Sequence, residues 1–444
     1  MRPIAFILAI ALGANLASAD PAAPRTDDAA ESPLPQSLTL EQAVQFFHEH
    51  GLDLLIAEAN VQSAEGDVAI ANQLANPQLS VDLGRSFYTG NCGTNCSVPN
   101  QYSISISDQA VISDLIAGKR HLRDDVASTA LAAAKLGRVD ADRALVFQVK
   151  SQFEQVLVAQ LALSFAKDTV VSNATLLEKT QNRASAGQIG DADVLRVKTL
   201  KLESDQAVDA AQQALVKARA QLAFLLGVRS AVPAFTVDEP RLAHYELPPK
   251  LASASHDQLL ASAFAARPDL AAQQAQLDSA RAQLALAKRT RFPEIALSLG
   301  YSQQGTTPSD PSPPTFSIGL SAPIPVLYQQ QGEIEKGSAG VRTAELGLQK
   351  LRSTVVNDFE TAYADFVGSQ VLVQRMEQGE LLATARQARD AVVKAKELGA
   401  ASLLDEMNAI STYIATNVEY QNDLANYWTA VFELEHAVGS ELLK

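Results

Sequence analysis

Beyond Pro77 the chain alternates strictly. Leu79, Val81 and Leu83 take one phase, and Ser80, Asp82 and Gly84 the other. Past a polar loop the same alternation returns, with Tyr102, Ile104 and Ile106 set against Ser103, Ser105 and Ser107. It returns twice more, as Ile295, Leu297, Leu299 and Tyr301, then as Phe316, Ile318 and Leu320, with Ala, Gly and Ser between. Period-two alternation predicts strands with one apolar face and one small, polar face. They are expected at about 77–88, 101–110, 292–303 and 314–323. A soluble hairpin would bury the apolar face on helices. Strands of about ten residues instead match the length that crosses an outer membrane when tilted. Phe87, Tyr88, Tyr102, Tyr301 and Phe316 stand where strands meet loops, as in an aromatic girdle. Four strands do not close a barrel, and an open sheet edge in lipid leaves backbone groups unsatisfied, so closure calls for several chains.

Elsewhere the period is helical. Val208, Ala211, Leu215, Ala218, Leu222 and Leu225 step by alternating threes and fours, the seam of packed helices, and Leu424, Trp428 and Val431 repeat it. No Pro lies between Pro99 and Pro233, or beyond Pro325. Proline costs about 3 kcal/mol inside a helix, so these tracts permit helices of great length. Residues 114–182 are expected as nearly continuous helix, roughly 100 Å long at about 1.5 Å per residue. Such a helix requires a coiled-coil assembly rather than a compact domain.

The two patterns recur together. Thr39-Leu40-Glu41-Gln42 and Ser255-His256-Asp257-Gln258 both begin helices with a capping box, and a constant shift then superposes Asp53-Leu54 on Asp269-Leu270 and Pro77 on Pro293. Further along, Gly187 meets Gly399, Asp193 meets Asp405 and Gly227 meets Gly439. The expected organisation is a first repeat at 37–227 (helices about 114–227), a connecting segment at 228–254 and a second repeat at 255–444 (helices about 332–439). Each reads helix, strand, loop, strand, long helix, turn, long helix. Ahead of them, Met1-Arg2, the apolar stretch Ile4 to Leu16 and Ala17-Ser18-Ala19 form a signal-peptide pattern over 1–19, followed by a linker at 20–36. No Cys follows that site to carry a lipid anchor.

Composition narrows the function classes. With 47% hydrophobic and 19% charged residues the chain is ordered, and a formal net charge of −14 with no Lys/Arg block argues against a nucleic-acid partner. Nucleotide loops, a nucleophile elbow and a zinc-protease motif are missing, the six His are dispersed, and no cofactor is expected, so the chain is not read as an enzyme. His48-Glu49-His50 places its imidazoles on different helix faces and reads as a solvated face. Cys92 and Cys96 share the first hairpin loop, where a disulfide, a surface metal clip or two free thiols are open readings.

The export signal, the tandem repeat, Asn76-Pro77 and Phe292-Pro293 opening the hairpins, Ser321-Ala322-Pro323-Ile324-Pro325 closing the second, and the Gly187 and Gly399 turns together resemble the TolC family of outer-membrane efflux channels. The texture is most like the CzcC-type heavy-metal branch. The resemblance implies a mainly α chain that contributes four strands to a 12-stranded transmembrane β-barrel, and a homotrimer whose helices form a tunnel spanning the periplasm of a Gram-negative cell. It implies a passive exit duct coupled through a periplasmic adaptor to an inner-membrane pump of the RND type, exporting metals, drugs or proteins. Asp405 fits the aspartate that narrows the tunnel. Asn408 stands where some members carry a second Asp, and Asp193 and Arg196 are the first-repeat equivalents. Helix capping is the competing role for both aspartates. Arg183, Ser185 and Gly187 are similar to the adaptor-docking turn, and Gly399 marks its counterpart, which lacks the Arg and Ser. A periplasmic adaptor or structural coiled coil is the rival reading, and type I protein secretion an alternative cargo route.

Overall fold

The computed structural model describes residues 34–85, 100–108, 111–304 and 313–443; the expected leader, Phe87, Tyr88, Cys92 and Cys96 lie outside them. The chain begins with β1 (Ser37–Leu38), α1 (Leu40–His50), α2 (Leu52–Ala71), β2 (Gln78–Arg85), β3 (Asn100–Ser107), α3 (Val111–Ala117), α4 (Lys119–Ser185) and α5 (Asp191–Leu225). A connecting stretch holds β4 (Thr236–Val237) and α6 (Pro249–Ser253). Then come α7 (His256–Ala266), α8 (Pro268–Arg289), β5 (Ala296–Gln304), β6 (Thr315–Ser321), α9 (Gln331–Glu377), α10 (Leu381–Glu397) and α11 (Leu403–Val438).

Both capping boxes form. Thr39 and Ser255 each accept the amide three residues on at 3.3 Å, while Gln42 and Gln258 reach back to the cap amides at 3.0 and 2.9 Å. The repeat extends to backbone conformation. Gly187 and Gly399 have φ of 73° and 77°, Gly227 and Gly439 81° and 75°, and even Gly118 and Gln330 match at 64° and 61°.

The long helix begins later than expected. Gly118 is left-handed and divides α3 from α4, so the run does not extend unbroken from Asp114. A residue without Cβ takes this conformation at little cost. α4 itself is 67 residues, about 100 Å. A second break, at 378–380 between α9 and α10, has no equivalent inside α4. The connecting stretch is clamped there. Gln370 and Gln374 donate to the Tyr245 hydroxyl at 3.1 and 2.6 Å, and the Glu377 carboxylate accepts the Tyr245 amide at 2.9 Å and the Tyr420 hydroxyl at 2.7 Å.

The helices lie side by side in one layer. Near the sheet α2 packs on α4, α4 on α8 and α8 on α9, the same sequence as the strand order β2-β3-β5-β6. Farther away α5 packs on α4, α4 on α11 and α11 on α10. The main core lies where these sets meet. It gathers Phe153 of α4, Leu222 of α5, Phe359 of α9 and Trp428 and Phe432 of α11 around the parallel β1–β4 bridge. Gln160 completes that bridge, accepting the Val237 amide and donating to its carbonyl, both at 2.9 Å. On α5, Leu215, Ala218 and Leu222 are buried while Val208, Ala211 and Leu225 are half-buried, so the seam faces its neighbour helix as the heptad requires.

The four-stranded sheet is antiparallel throughout, and its register puts every large apolar residue on one face. Val81 lies opposite Ile104, Ile104 opposite Tyr301, and Tyr301 opposite Phe316; Leu79, Ile106, Leu299 and Ile318 form the next such row. The reverse face carries rows of Ser and Gly such as Ser80, Ser105, Gly300 and Ser317. Among the described residues no helix covers the apolar face: Leu83 is 76% exposed, Phe316 80% and Ile318 78%. β2 and β6 are the open edges.

Candidate functional site at the helical tip

The far end of α4 turns at Gly187, and the far end of α10 turns at Gly399. Both turns close identically. The Gly187 amide bonds the Ala184 carbonyl and the Gln188 amide the Arg183 carbonyl, each at 2.9 Å; Gly399 to Lys396 at 3.0 Å and Ala400 to Ala395 at 2.8 Å repeat the pattern. This is the Schellman closure, and its left-handed position favours glycine. Arg183, Ser185, Gly187 and Gly399 are all exposed. Arg183 makes a 3.4 Å contact with the Gln188 side chain, while the Ser185 hydroxyl donates to the Asn182 carbonyl at 2.9 Å.

The returning helices are capped differently. In α11, Ser402 is the N-cap, and Asp405 forms a capping box with it. The Asp405 carboxylate accepts the Ser402 hydroxyl and amide at 2.7 and 2.9 Å, which holds its pKa below the usual carboxylate range. In α5 the N-cap is Gly190, which has no side chain to offer. Asp193 therefore bonds Arg196 instead, at 3.3 Å. Asp405 and Asn408 are exposed one turn apart on α11, followed by Thr412, whose hydroxyl bonds the Asn408 carbonyl at 2.9 Å. A small apolar cluster of Leu176, Val197 and Ile410, with Leu200, Leu403 and Met407 packed on it, brings α4 and the starts of α5 and α11 together.

Two ion pairs at the tip escaped the sequence reading. Lys396 of α10 and Glu406 of α11 pair with side chains only 12% and 8% exposed, and the neighbouring Glu397 lies 3.7 Å from Lys179 of α4. The sequence signal for the first is opposite charge on either side of the Gly399 turn; the second joins residues of different repeats and has none.

His48 and His50 diverge. His48 lies 2.9 Å from Asp142, and the His50 ring contacts the Phe46 carbonyl at 3.2 Å. His48 lines an open cavity of about 720 Å³, whose walls include the Lys150–Glu435 ion pair and His436. Burial, with Arg143 and Arg267 adding repulsion, pushes the His436 pKa down to about 4. No group of three or more His, Cys, Asp or Glu able to hold a metal occurs among the described residues, and no described helix is long and apolar enough to cross a membrane.

The family model "Outer membrane efflux protein" matches residues 47–228 and again 259–440. The cobalt-zinc-cadmium resistance protein CzcC of Cupriavidus metallidurans is 24% identical over 407 residues, covering 90% of each chain. The pyoverdine export outer membrane protein OpmQ of Pseudomonas aeruginosa is 25% identical over 85% of this chain and 80% of its own. Among solved structures, CusC superposes with a TM-score of 0.72 at 18% identity, covering 90% of this chain and 92% of that one.

Proposed function

The chain belongs to the outer membrane efflux protein family, and on that premise we propose that three copies close into a passive exit duct. One observation carries this reading: a four-stranded sheet with an uncovered apolar face and two open edges. In water such a face would aggregate, and in lipid such edges would cost several kcal/mol per unpaired group. Pairing β6 of one copy with β2 of the next removes both edges and yields twelve strands. The small Ser and Gly residues then face the lumen. The matching order of α2, α4, α8 and α9 below the strands continues that wall as a helical tunnel across the periplasm. The sequence holds no nucleotide-binding loop, and in this reading an inner-membrane pump of the RND type drives transport through a periplasmic adaptor. The adaptor docks at the exposed Arg183, Ser185 and Gly187 turn and its Gly399 counterpart. Asp405 and Asn408, with Asp193 and Arg196 between them, line the constriction.

Divalent metal cations are the cargo this reading favours. The support is the likeness to CzcC over nine-tenths of both chains, a broader match than that to OpmQ, together with the unneutralised Asp405 at the tip. Expression in a metal-sensitive strain that retains the CzcC partners but lacks CzcC tests it. Restored growth on cobalt, zinc or cadmium is expected, and failure despite outer-membrane insertion would remove the metal assignment. The duct itself is tested by mass measurement of detergent-extracted protein. A trimer is expected; a stable, membrane-inserted monomer would overturn the reading.

A further inference from the structure

Three of the four residues from 288 to 291 are basic, Lys288, Arg289 and Arg291, in a chain whose formal net charge is −14. None has a carboxylate partner among the described residues. Arg289 donates to the Ala117 carbonyl, and its guanidinium lies 4.8 Å from the centre of the Phe292 ring. Arg291 donates to the Gln329 side chain at 3.3 Å. The Ala117 contact sets this cluster beside the start of α4, where the ammonium of buried Lys119 lies 3.4 Å from Glu294. These cations therefore ring the foot of the sheet, just before β5 begins at Ala296.

Alongside them runs the linker from β6 to α9, exposed throughout residues 321–329. Ile324 is 82% exposed, Val326 73% and Leu327 98%. They follow directly on Phe316, Ile318 and Leu320 of the uncovered sheet face. Leu286, Phe292, Ile324 and Leu327 line a cavity of about 770 Å³ that Lys119 and Arg291 also border.

We propose that this collar binds the anionic headgroups of phospholipids in the periplasmic leaflet of the outer membrane. Lys288, Arg289 and Arg291 meet the phosphates, and Ile324 and Leu327 enter the acyl region. The inference rests on reading the sheet's apolar face as lipid-facing. That reading puts the linker at the lower edge of the hydrocarbon, the depth at which unpaired basic residues meet phosphate and apolar side chains meet acyl chains. Each cation near an anionic surface favours binding roughly fivefold, so three amount to about a hundredfold.

The test reconstitutes the full chain in vesicles of phosphatidylcholine, alone or mixed with phosphatidylglycerol, and counts retained lipids by native mass spectrometry. The wild-type protein is expected to retain phosphatidylglycerol preferentially. The combined variant Lys288→Gln, Arg289→Gln, Arg291→Gln should lose about a hundredfold of that preference, and Arg291→Gln alone about fivefold. The charge-keeping variant Lys288→Arg, Arg289→Lys, Arg291→Lys should retain it. Equal retention of both lipids by the wild type, or a preference untouched by removing the charges, would overturn the collar. Ion conductance of the same vesicles separates the two failures. A conducting protein without lipid preference loses the collar and keeps the duct, whereas a protein that neither inserts nor conducts loses both.

Discussion

The hydroxyl of Ser402 both donates to the Asp405 carboxylate, at 2.7 Å, and accepts the Asp405 amide, at 3.1 Å. The carboxylate proposed for the constriction is thus also a structural part of its helix, and its two roles separate by mutation. Ser402→Ala keeps the charge and loses the cap, which should destabilise by about 1 kcal/mol and leave cation selectivity unchanged. Asp405→Asn removes the charge and should lower cation selectivity in single-channel recordings and weaken block by divalent ions from the periplasmic side. Asp193→Asn should do less, because Arg196 already neutralises that carboxylate. Equal selectivity in all three variants would leave Asp405 a cap alone. Because Ser402 depresses the Asp405 pKa, its charge should persist below the usual carboxylate range, and the stabilising contact is lost only as pH falls through that lowered value.

The Lys396–Glu406 pair fastens α10 to α11 where both side chains are nearly shielded from water. Lys396→Ala strands a buried carboxylate and should destabilise by roughly 3 kcal/mol, while adding Glu406→Ala should recover most of that. Thermal unfolding of the two single variants and the double variant reads the coupling; purely additive effects would mean the pair does not hold the hairpin.

Glu154 of α4 is fully buried in the chain, and neither of its carboxyl oxygens has a hydrogen-bond partner among the described residues. Burial pushes its pKa up to about 8, so at neutral pH the folded chain holds a proton that the unfolded chain has released. Its stabilising contribution is present below pH 4.5 and is lost as pH rises through 8. Glu154→Gln should flatten that slope and stabilise by roughly 3 kcal/mol at pH 7, measured by denaturant unfolding at several pH values. An unchanged slope would show the carboxyl to be hydrated.

His436 works in the opposite direction. Stacked on Phe147 at 5.0 Å between centroids, it stays neutral in the folded chain down to about pH 4, whereas the unfolded imidazole charges near 6.5. Stability should therefore fall as pH drops from 6.5 towards 4, and His436→Gln should remove that loss. Titration of the His436 ring by NMR with a midpoint near 6.5 would contradict the assignment.

The sheet was the most legible part of the chain. Alternation at Leu79 to Leu83 and Phe316 to Leu320 encodes a face directly, since strand geometry allows only two, and the repeat shift tied the second hairpin to the first. The helix breaks were less legible for a physical reason. Gly118 was visible as a glycine, but the strong helix formers around it concealed a left-handed turn. The break at 378–380 was hidden, because it accompanies the clamping of Tyr245 by Gln370, Gln374 and Glu377, residues far apart in sequence. At the tip capping was legible as a role for Asp405 but its partner Ser402 was not singled out, whereas the Lys396–Glu406 pair depends on how two helices meet after the turn. The sequence showed no Lys/Arg block, and the short cluster of Lys288, Arg289 and Arg291 gains meaning only where the fold sets it at the foot of the strands.

The different caps Gly190 and Ser402, with Arg196 standing where the second repeat has Asn408, have a consequence for stoichiometry. In the proposed trimer, three copies of a duplicated chain present six hairpins at the rim, but the rim is not sixfold. One hairpin kind carries an aspartate cancelled by Arg196, the other an aspartate that keeps its charge, and the two alternate around the circle. An adaptor ring built from a single sequence would meet two chemically distinct seats, and would settle there as three unequal pairs rather than six equivalent subunits.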